Sequence, residues 1–140
     1  MSVYLDASVI VALFTVDPLN DRTDKVLRGI RDTLVVSDFA GAEFSAVIAR
    51  RVRTRDLSAG EARTAFANFD LWCASQTRRV EIEGVDVAHA TGLMRRLDAA
   101  LRMPDALHIA IAQRNGSDLL TFDRAMANVA RGIGIEIVKG

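Results

Sequence analysis

Cysteine is nearly absent from the sequence, with Cys73 the only one among 140 residues. A single thiol cannot form an internal disulfide, and such scarcity is typical of proteins that work in a reducing compartment, so we expect a cytoplasmic location. Long apolar runs are also absent, since none approaches the ~20 residues needed to span a bilayer. No basic segment precedes an apolar one at the N-terminus, so the sequence predicts neither a signal peptide nor a membrane partner.

Lysine is also scarce: of the 18 basic residues, only Lys25 and Lys139 are lysines. The 18 acidic residues balance them, and the net charge of +0 argues against a protein that binds nucleic acid through a simple excess of positive charge. The other basic residues are arginines, which suit bidentate contacts to phosphate. Because alanine is also very abundant, the arginines are explained more simply by overall composition, and they support a phosphodiester substrate only weakly.

The hydrophobic residues, 50% of the sequence, are enough to build a sizeable core in a chain of this length. No low-complexity segment, internal repeat or linker divides the sequence. We therefore expect residues 1–140 to form a single domain.

Short apolar segments alternate with helical patterns along the whole chain. Five of them are predicted to be strands, at residues 3–5, 33–37, 80–82, 119–122 and 133–138. The predicted helices lie at residues 22–31, 38–53, 85–101 and 123–131, with others beginning near residues 8, 58 and 104. This alternation predicts an α/β fold with a parallel sheet and right-handed crossovers.

Four acidic residues occur where such a fold would place its chemistry. Three of them follow the first, second and fourth strands, and one lies in the buried helix before the fourth: Asp6, Glu43, Asp123 and Asp105. Ligand sites in open α/β sheets lie at the carboxyl ends of the strands. A parallel topology therefore brings all four carboxylates to one edge of the sheet.

Each carboxylate also has a purely structural interpretation. Asp6 and Asp123 are good N-cap residues for the helices that follow them. Asp105 lies in the first turn of its helix, where the helix dipole favours a negative charge by about 0.3–1 kcal/mol. Glu43 lies on an apolar helix face, and a contact with Arg50, two turns on, would satisfy its charge at the edge of the core.

The four carboxylates together have no such interpretation, because like charges crowded at one edge repel one another unless a cation neutralises them. Oxygen-only ligands suit a hard cation, Mg²⁺ or Mn²⁺. Ser8 and Thr121 lie beside two of the carboxylates and are predicted to hydrogen-bond and orient them. His108, one turn after Asp105, is interpreted as a histidine at the edge of the core and is excluded from the site.

Four short motifs carry these residues: YLDAS at residues 4–8, AEFS at 42–45, MPDALHIA at 103–110 and TFD at 121–123. In this order and spacing they resemble the motifs of the PIN-domain ribonucleases, and most closely those of the small VapC-type toxins of bacterial toxin–antitoxin pairs. The segment 103–110 is the most specific match. The resemblance covers nearly the whole chain.

The resemblance implies a three-layer α/β/α sandwich on a mainly parallel five-stranded sheet. It also implies metal-dependent cleavage of RNA phosphodiester bonds, frequent homodimerisation, and a small antitoxin protein that blocks the site. Under this hypothesis one or two Mg²⁺ or Mn²⁺ ions are held by the four catalytic carboxylates, Asp6, Glu43, Asp105 and Asp123. Arg50, Arg102 and Arg124 lie near the motifs and are candidates to hold the RNA backbone.

Two rival hypotheses differ in class from a metal-dependent nuclease. An Asp-nucleophile phosphohydrolase also opens with a strand that ends in Asp, but it commonly uses a second Asp two residues on and a lysine at the site. Here Ser8 occupies that second position, and both lysines lie outside the motifs. The other rival is a catalytically silent module that works by binding its partner.

Overall fold

The structure is a computed structural model that describes residues 1–139. Its strands are β1 (Ser2–Leu5), β2 (Thr33–Ser37), β3 (Thr77–Val80) and β4 (Asp118–Leu120). Its helices are α1 (Ala7–Phe14), α2 (Asn20–Gly29), α3 (Asp38–Arg53), α4 (Ala59–Gln76), α5 (Gly84–Arg95), α6 (Met103–Arg114) and α7 (Arg124–Gly132). Across residues 1–139, no helix has both the length and the apolar character needed to cross a bilayer.

The four strands form one parallel sheet in the order β3-β2-β1-β4. Strand β1 lies in the interior of this sheet, where Tyr4 stands opposite Val35 of β2 and Leu119 of β4. All four of its residues are buried, as expected for a strand covered on both faces. The predicted parallel α/β fold is therefore confirmed, and the carboxyl end of β1 lies between those of its two neighbours.

Helices cover both faces of the sheet, because alternate residues of each strand point to opposite sides. Tyr4 and Val35 pack into a core with residues of α5, α6 and α7. Val3, Leu5 and Val36 pack into a second core with residues of α1, α3 and α4. These two cores make the three-layer α/β/α sandwich that was predicted.

The fifth predicted strand, at residues 133–138, is reduced to a single bridge between Ile137 and Leu119. The Val138 N–H donates to the Leu119 carbonyl at 2.9 Å, and the Leu119 N–H donates to the Glu136 carbonyl at 2.9 Å. Helix α7 continues to Gly132, and Gly134 then takes a φ of +90°, so few residues remain to run beside β4. The sheet consequently has four strands and one added bridge.

Among the other elements, β3 and α5 have boundaries that differ most from those predicted. Strand β3 spans Thr77–Val80 rather than residues 80–82, because pairing with β2 uses backbone groups and tolerates the arginines of an exposed edge. Helix α5 ends at Arg95 rather than at residue 101. Leu97 takes a φ of +59°, a left-handed conformation that cannot continue a right-handed helix.

Three helices begin as their capping residues predicted. The Ser37 hydroxyl accepts a hydrogen bond from the Ala40 N–H at the start of α3. Ser58 and Glu61 form a capping box at the start of α4. Pro104 lies in the first turn of α6, where its missing N–H costs nothing.

A buried ion pair joins α5 to the end of α6. Asp86 is fully buried, and Arg114 donates to its two carboxylate oxygens at 2.7 and 2.9 Å. Burial alone would raise the pKa of Asp86, but the hydrogen bonds from Arg114 and from the Glu83 N–H outweigh it and hold the pKa below its ordinary value. The pair therefore fixes α6, which carries Asp105, against α5.

Arg114→Met should destabilise the fold by about 3–5 kcal/mol, because it leaves the buried carboxylate of Asp86 without its cation. Arg28→Met is the matched control, since Arg28 pairs with Asp24 on the surface at 3.0 Å. The control should change stability by no more than ~0.5 kcal/mol. Urea unfolding of both variants measures the difference, and equal losses would contradict a dominant role for the buried pair.

Candidate active site

A cleft of about 650 Å³ opens at the carboxyl end of β1. All four carboxylates predicted from the sequence line it: Asp6, Glu43, Asp105 and Asp123. Ser8 and His108 line the same cleft. Of the three arginines named from the sequence, Arg50 and Arg102 are at the cleft and Arg124 is not.

Asp6 is the most deeply buried of these carboxylates, with 2% of its surface exposed. Ser8 Oγ donates to Asp6 Oδ1 at 2.7 Å, and Thr121 Oγ1 donates to Asp6 Oδ2 at 2.6 Å. The Val9 N–H also donates to Oδ1 at 3.3 Å, so Asp6 is an N-cap of α1 as well. Burial raises the pKa of Asp6, and the hydrogen bonds from Ser8 and Thr121 oppose part of that rise.

The same two hydroxyls connect the end of β1 to the end of β4. The Thr121 hydroxyl oxygen accepts from the Asp123 N–H at 3.0 Å, and the Ser8 hydroxyl oxygen accepts from the Phe122 N–H at 3.2 Å. Asp123 in turn caps α7 through a 3.0 Å hydrogen bond from the Met126 N–H. The relative positions of the Asp6 and Asp123 carboxylates are thus set by hydrogen bonds between neighbouring strand ends.

Glu43 is held by His108, which the sequence analysis left outside the site. His108 Nε2 is hydrogen-bonded to Glu43 Oε1, and His108 Nδ1 is bonded to the Tyr4 hydroxyl at 2.7 Å. The interpretation of His108 as a buried, satisfied histidine is correct, since it is 2% exposed with a partner on each nitrogen. Its exclusion from the site is not, because it contacts one of the carboxylates directly.

The alternative contact between Glu43 and Arg50 does not form: within residues 1–139, the polar partner of the Glu43 side chain is His108. A signal for the true partner was available in the sequence. A polar side chain in a helix or strand that is otherwise apolar needs a buried partner. His108 on α6 and Tyr4 in an apolar strand both meet that description.

Asp105 is 7% exposed and lies in the first turn of α6. Its Oδ2 accepts from the Arg102 N–H at 3.4 Å and lies 3.6 Å from Arg102 Nε. Burial raises the pKa of Asp105, and the charge of Asp123 raises it further, while Arg102 opposes the rise. The repulsion predicted from the sequence therefore acts between Asp105 and Asp123.

The donor set suits a hard cation because it consists of carboxylate oxygens. Three of these oxygens have no hydrogen-bond or ion-pair partner among the described residues: Glu43 Oε2, Asp105 Oδ1 and Asp123 Oδ2. No fully buried side-chain oxygen or nitrogen in that part of the chain lacks a partner, so these three atoms reach solvent. Each is therefore free to accept a cation.

The carboxylates are not already arranged as a metal site. Over residues 1–139, no group of three or more His, Cys, Asp or Glu side chains stands close enough together to hold a metal ion. Asp6, Glu43, Asp105 and Asp123 each bond to a protein partner instead. These residues therefore fit a divalent cation in their donor chemistry and in their location at one cleft.

The PIN-domain family model matches residues 3–132, and the chain belongs to that family. Among curated relatives, Ribonuclease VapC46 of Mycobacterium tuberculosis is 36% identical over 141 aligned residues, covering 98% of this chain and 96% of the relative.

Solved structures share the fold at lower identity. VapC20 of Mycobacterium tuberculosis, described as a toxin that cleaves the sarcin–ricin loop, superposes with a TM-score of 0.75 at 17% identity and covers 91% of this chain and 94% of its own. FitAcB of Neisseria gonorrhoeae gives a TM-score of 0.76 at 15% identity, and the superposition covers 98% of this chain and 96% of FitAcB. VapBC2 of Rickettsia felis, solved with promoter DNA, gives a TM-score of 0.71 at 14% identity, and the superposition covers 98% of this chain and 97% of the VapBC2 chain.

Asp105→Asn should stabilise the metal-free protein at pH 7. The folded-state pKa of Asp105 is raised, so the charged carboxylate costs stability above that pKa, and the cost disappears as the pH falls toward the unfolded pKa of ~4. Thermal melts in chelator should therefore show a higher melting temperature for the variant at pH 7, with a smaller difference at pH 4. A variant that is clearly less stable at pH 7 would show that Asp105 mainly supports the start of its helix.

Proposed function

We propose that the protein is a divalent-metal-dependent endoribonuclease of the toxin type, which cleaves RNA phosphodiester bonds and is inhibited by a small antitoxin protein. One observation carries this proposal: four carboxylates from separate elements line a single cleft whose edge also carries arginines. The family supports it, as does a relative at 36% identity that is named a ribonuclease. FitAB of Neisseria gonorrhoeae and VapBC-1 of Haemophilus influenzae have the same fold, at TM-scores of 0.74 and 0.69.

In this proposal the four carboxylates hold Mg²⁺ or Mn²⁺ and are the catalytic residues: Asp6, Glu43, Asp105 and Asp123. Such a cation, when bound, lowers the pKa of a water and neutralises charge on the scissile phosphate. Ser8 and Thr121 would keep the Asp6 carboxylate in one orientation, because each already donates to a different oxygen of it. A carboxylate at the cleft would accept the proton of the attacking water.

Arginines at the cleft would bind the RNA backbone. Arg50 and Arg102 line the cleft, as do Arg51 and Arg53 at the end of α3. Guanidinium groups bind phosphate bidentately and would offset the negative charge of the carboxylates beside them. Arg124 does not line the cleft, so we do not assign it this role.

The Asp-nucleophile phosphohydrolase is the weaker enzyme hypothesis. Ser8 stands where such an enzyme commonly has its second Asp, and it is occupied by a hydrogen bond to Asp6. Both lysines, Lys25 and Lys139, line a different and smaller pocket. A phosphomonoester assay beside the RNA assay separates the two enzymes, and a lack of turnover in both would favour the silent binding module.

We also propose that the protein acts in the cytoplasm as a homodimer with a small antitoxin as its partner. The antitoxin proposal is supported by solved neighbours described as complexes, including a toxin–antitoxin complex from Klebsiella pneumoniae with a TM-score of 0.65. Light scattering of the purified protein, alone and with the product of an adjacent gene, tests both assembly states.

Asp6→Asn should abolish cleavage of a fluorescent RNA in Mn²⁺ while the protein stays folded. Asparagine keeps the shape of the side chain but removes the charge that a hard cation requires. Asp70→Asn is the control, because Asp70 is an exposed carboxylate on α4 outside the cleft, and it should cleave at the wild-type rate.

Circular dichroism on both proteins distinguishes loss of chemistry from loss of fold. Cleavage by wild type should stop in chelator and return when Mn²⁺ is added. Persistent cleavage by a folded Asp6→Asn preparation free of contaminating nuclease would remove Asp6 from the catalytic set.

Expression of the protein alone should arrest bacterial growth, since an unchecked ribonuclease destroys cellular RNA. Co-expression of the adjacent small gene product should restore growth, and Asp6→Asn should not arrest growth at all. Colony counts after induction measure the effect, and sequencing of RNA ends locates the cuts. Normal growth at high levels of folded protein, with no new RNA ends, would contradict the toxin proposal.

A further inference from the structure

A chain of hydrogen bonds runs from the start of α3 through the sheet to the cleft. The Ala40 N–H lies 3.0 Å from Ser37 Oγ, and Ser37 Oγ lies 2.7 Å from the Tyr4 hydroxyl. The Tyr4 hydroxyl lies 2.7 Å from His108 Nδ1, and His108 Nε2 is bonded to Glu43 Oε1. The chain therefore ends on one of the four carboxylates.

The direction of these hydrogen bonds follows from the backbone N–H at the start of the chain of bonds. The Ala40 N–H can only donate, so Ser37 Oγ accepts there and has its own hydrogen left to give. The Tyr4 oxygen is the one other partner of Ser37 Oγ among the described residues, so Tyr4 accepts that hydrogen. The hydrogen of Tyr4 then goes to His108 Nδ1, which leaves the ring hydrogen of His108 on Nε2.

The opposite direction would leave a buried group unsatisfied. If His108 Nδ1 donated to Tyr4, the Tyr4 hydroxyl would donate to Ser37 Oγ, and the Ser37 hydrogen would have no acceptor. Ser37 is 1% exposed and Tyr4 is fully buried, so water is not there to accept it. An unpaired buried hydroxyl is costly, and the first direction avoids it.

The ring of His108 is also held by packing. Tyr4 and Phe39 both lie against it, with ring centroids 5.7 and 4.9 Å away. A ring confined in this way, with its hydrogen fixed on Nε2, presents that hydrogen to Glu43 in one direction. Glu43 is 30% exposed at its side chain, and the one polar contact that restrains it in the described residues is this one.

We propose that Tyr4 is a positioning residue that fixes the Nε2–H tautomer of His108 and thereby holds Glu43 for the cation. This rests on the proposed function, because it assumes that Glu43 is a ligand. Groups that hydrogen-bond ligating carboxylates commonly change metal affinity by about 10–100-fold when they are removed. Tyr4 never contacts the cleft, so its effect passes through His108.

Tyr4→Phe tests the proposal because it removes only the hydroxyl oxygen that bonds to His108. The variant should bind Mn²⁺ more weakly than wild type by titration calorimetry, by up to about tenfold, because Tyr4 acts on Glu43 only through His108. Ser2→Ala is the matched control. It removes another buried hydroxyl of β1, which is bonded to Ser117 at 2.6 Å and lies outside the cleft, and it should leave Mn²⁺ affinity unchanged.

Nitrogen NMR of the imidazoles gives a readout that needs no metal. The sequence has two histidines, and His89 on α5 is exposed, so it serves as the reference. Metal-free wild type should show the Nε2–H tautomer at His108, and Tyr4→Phe should show a mixture of tautomers. An Nδ1–H tautomer in wild type would overturn the proposal even if Tyr4→Phe failed to fold.

A pair of substitutions at His108 separates positioning from packing. His108→Gln keeps a donor that can reach Glu43 and should retain most of the Mn²⁺ affinity, whereas His108→Leu fills the space without a donor and should lose it. Equal affinity in wild type and Tyr4→Phe would overturn the proposal and leave the nuclease function standing. A wild type that binds no Mn²⁺ would instead overturn the metal dependence, and this proposal with it.

Discussion

The burial of the Asp6 carboxylate constrains the ends of β1 and β4. A buried charge is tolerated only when hydrogen bonds replace the water that it loses. Asp6 receives them from Ser8 and Val9, just after β1, and from Thr121, just after β4. Because these donors come from two neighbouring strand ends, the register of β1 against β4 and the geometry of the cleft depend on one another. A shift of one residue in that register would remove a donor from Asp6.

Two of the other carboxylates, Glu43 and Asp105, are held by the helix layers rather than by the sheet. Glu43 bonds to His108 across α3 and α6, and Asp105 bonds to Arg102 at the start of α6. Helix α6 thus contributes to two of the four positions, and the pair of Arg114 with buried Asp86 fixes its far end. The same helix therefore carries cleft residues at its start and a buried ion pair at its end.

Local sequence patterns predicted the helix caps and the alternation of strands with helices, because each depends on residues close in the chain. The meeting of four acidic residues followed from the parallel topology that this alternation implies. The contact of His108 with Tyr4 joins residues 104 positions apart, and that of Arg114 with Asp86 joins residues 28 apart, so no local pattern contains either. The fifth strand was overpredicted for a related reason. Residues 133–138 are mostly apolar, but the left-handed turn at Gly134 limits their pairing with β4.

The structural and the ligand interpretations of the carboxylates are compatible at the level of atoms. A carboxylate has two oxygens and about four lone-pair positions, so one N-cap hydrogen bond leaves most of its capacity free. Asp123 caps α7 through Oδ1, and its Oδ2 has no partner in the described chain. Asp105 accepts from Arg102 through Oδ2 and keeps Oδ1 free in the same way. The capping bonds orient these side chains and leave one oxygen of each unpaired, so a helix start that needs an acidic cap also presents a free carboxylate oxygen to the cleft.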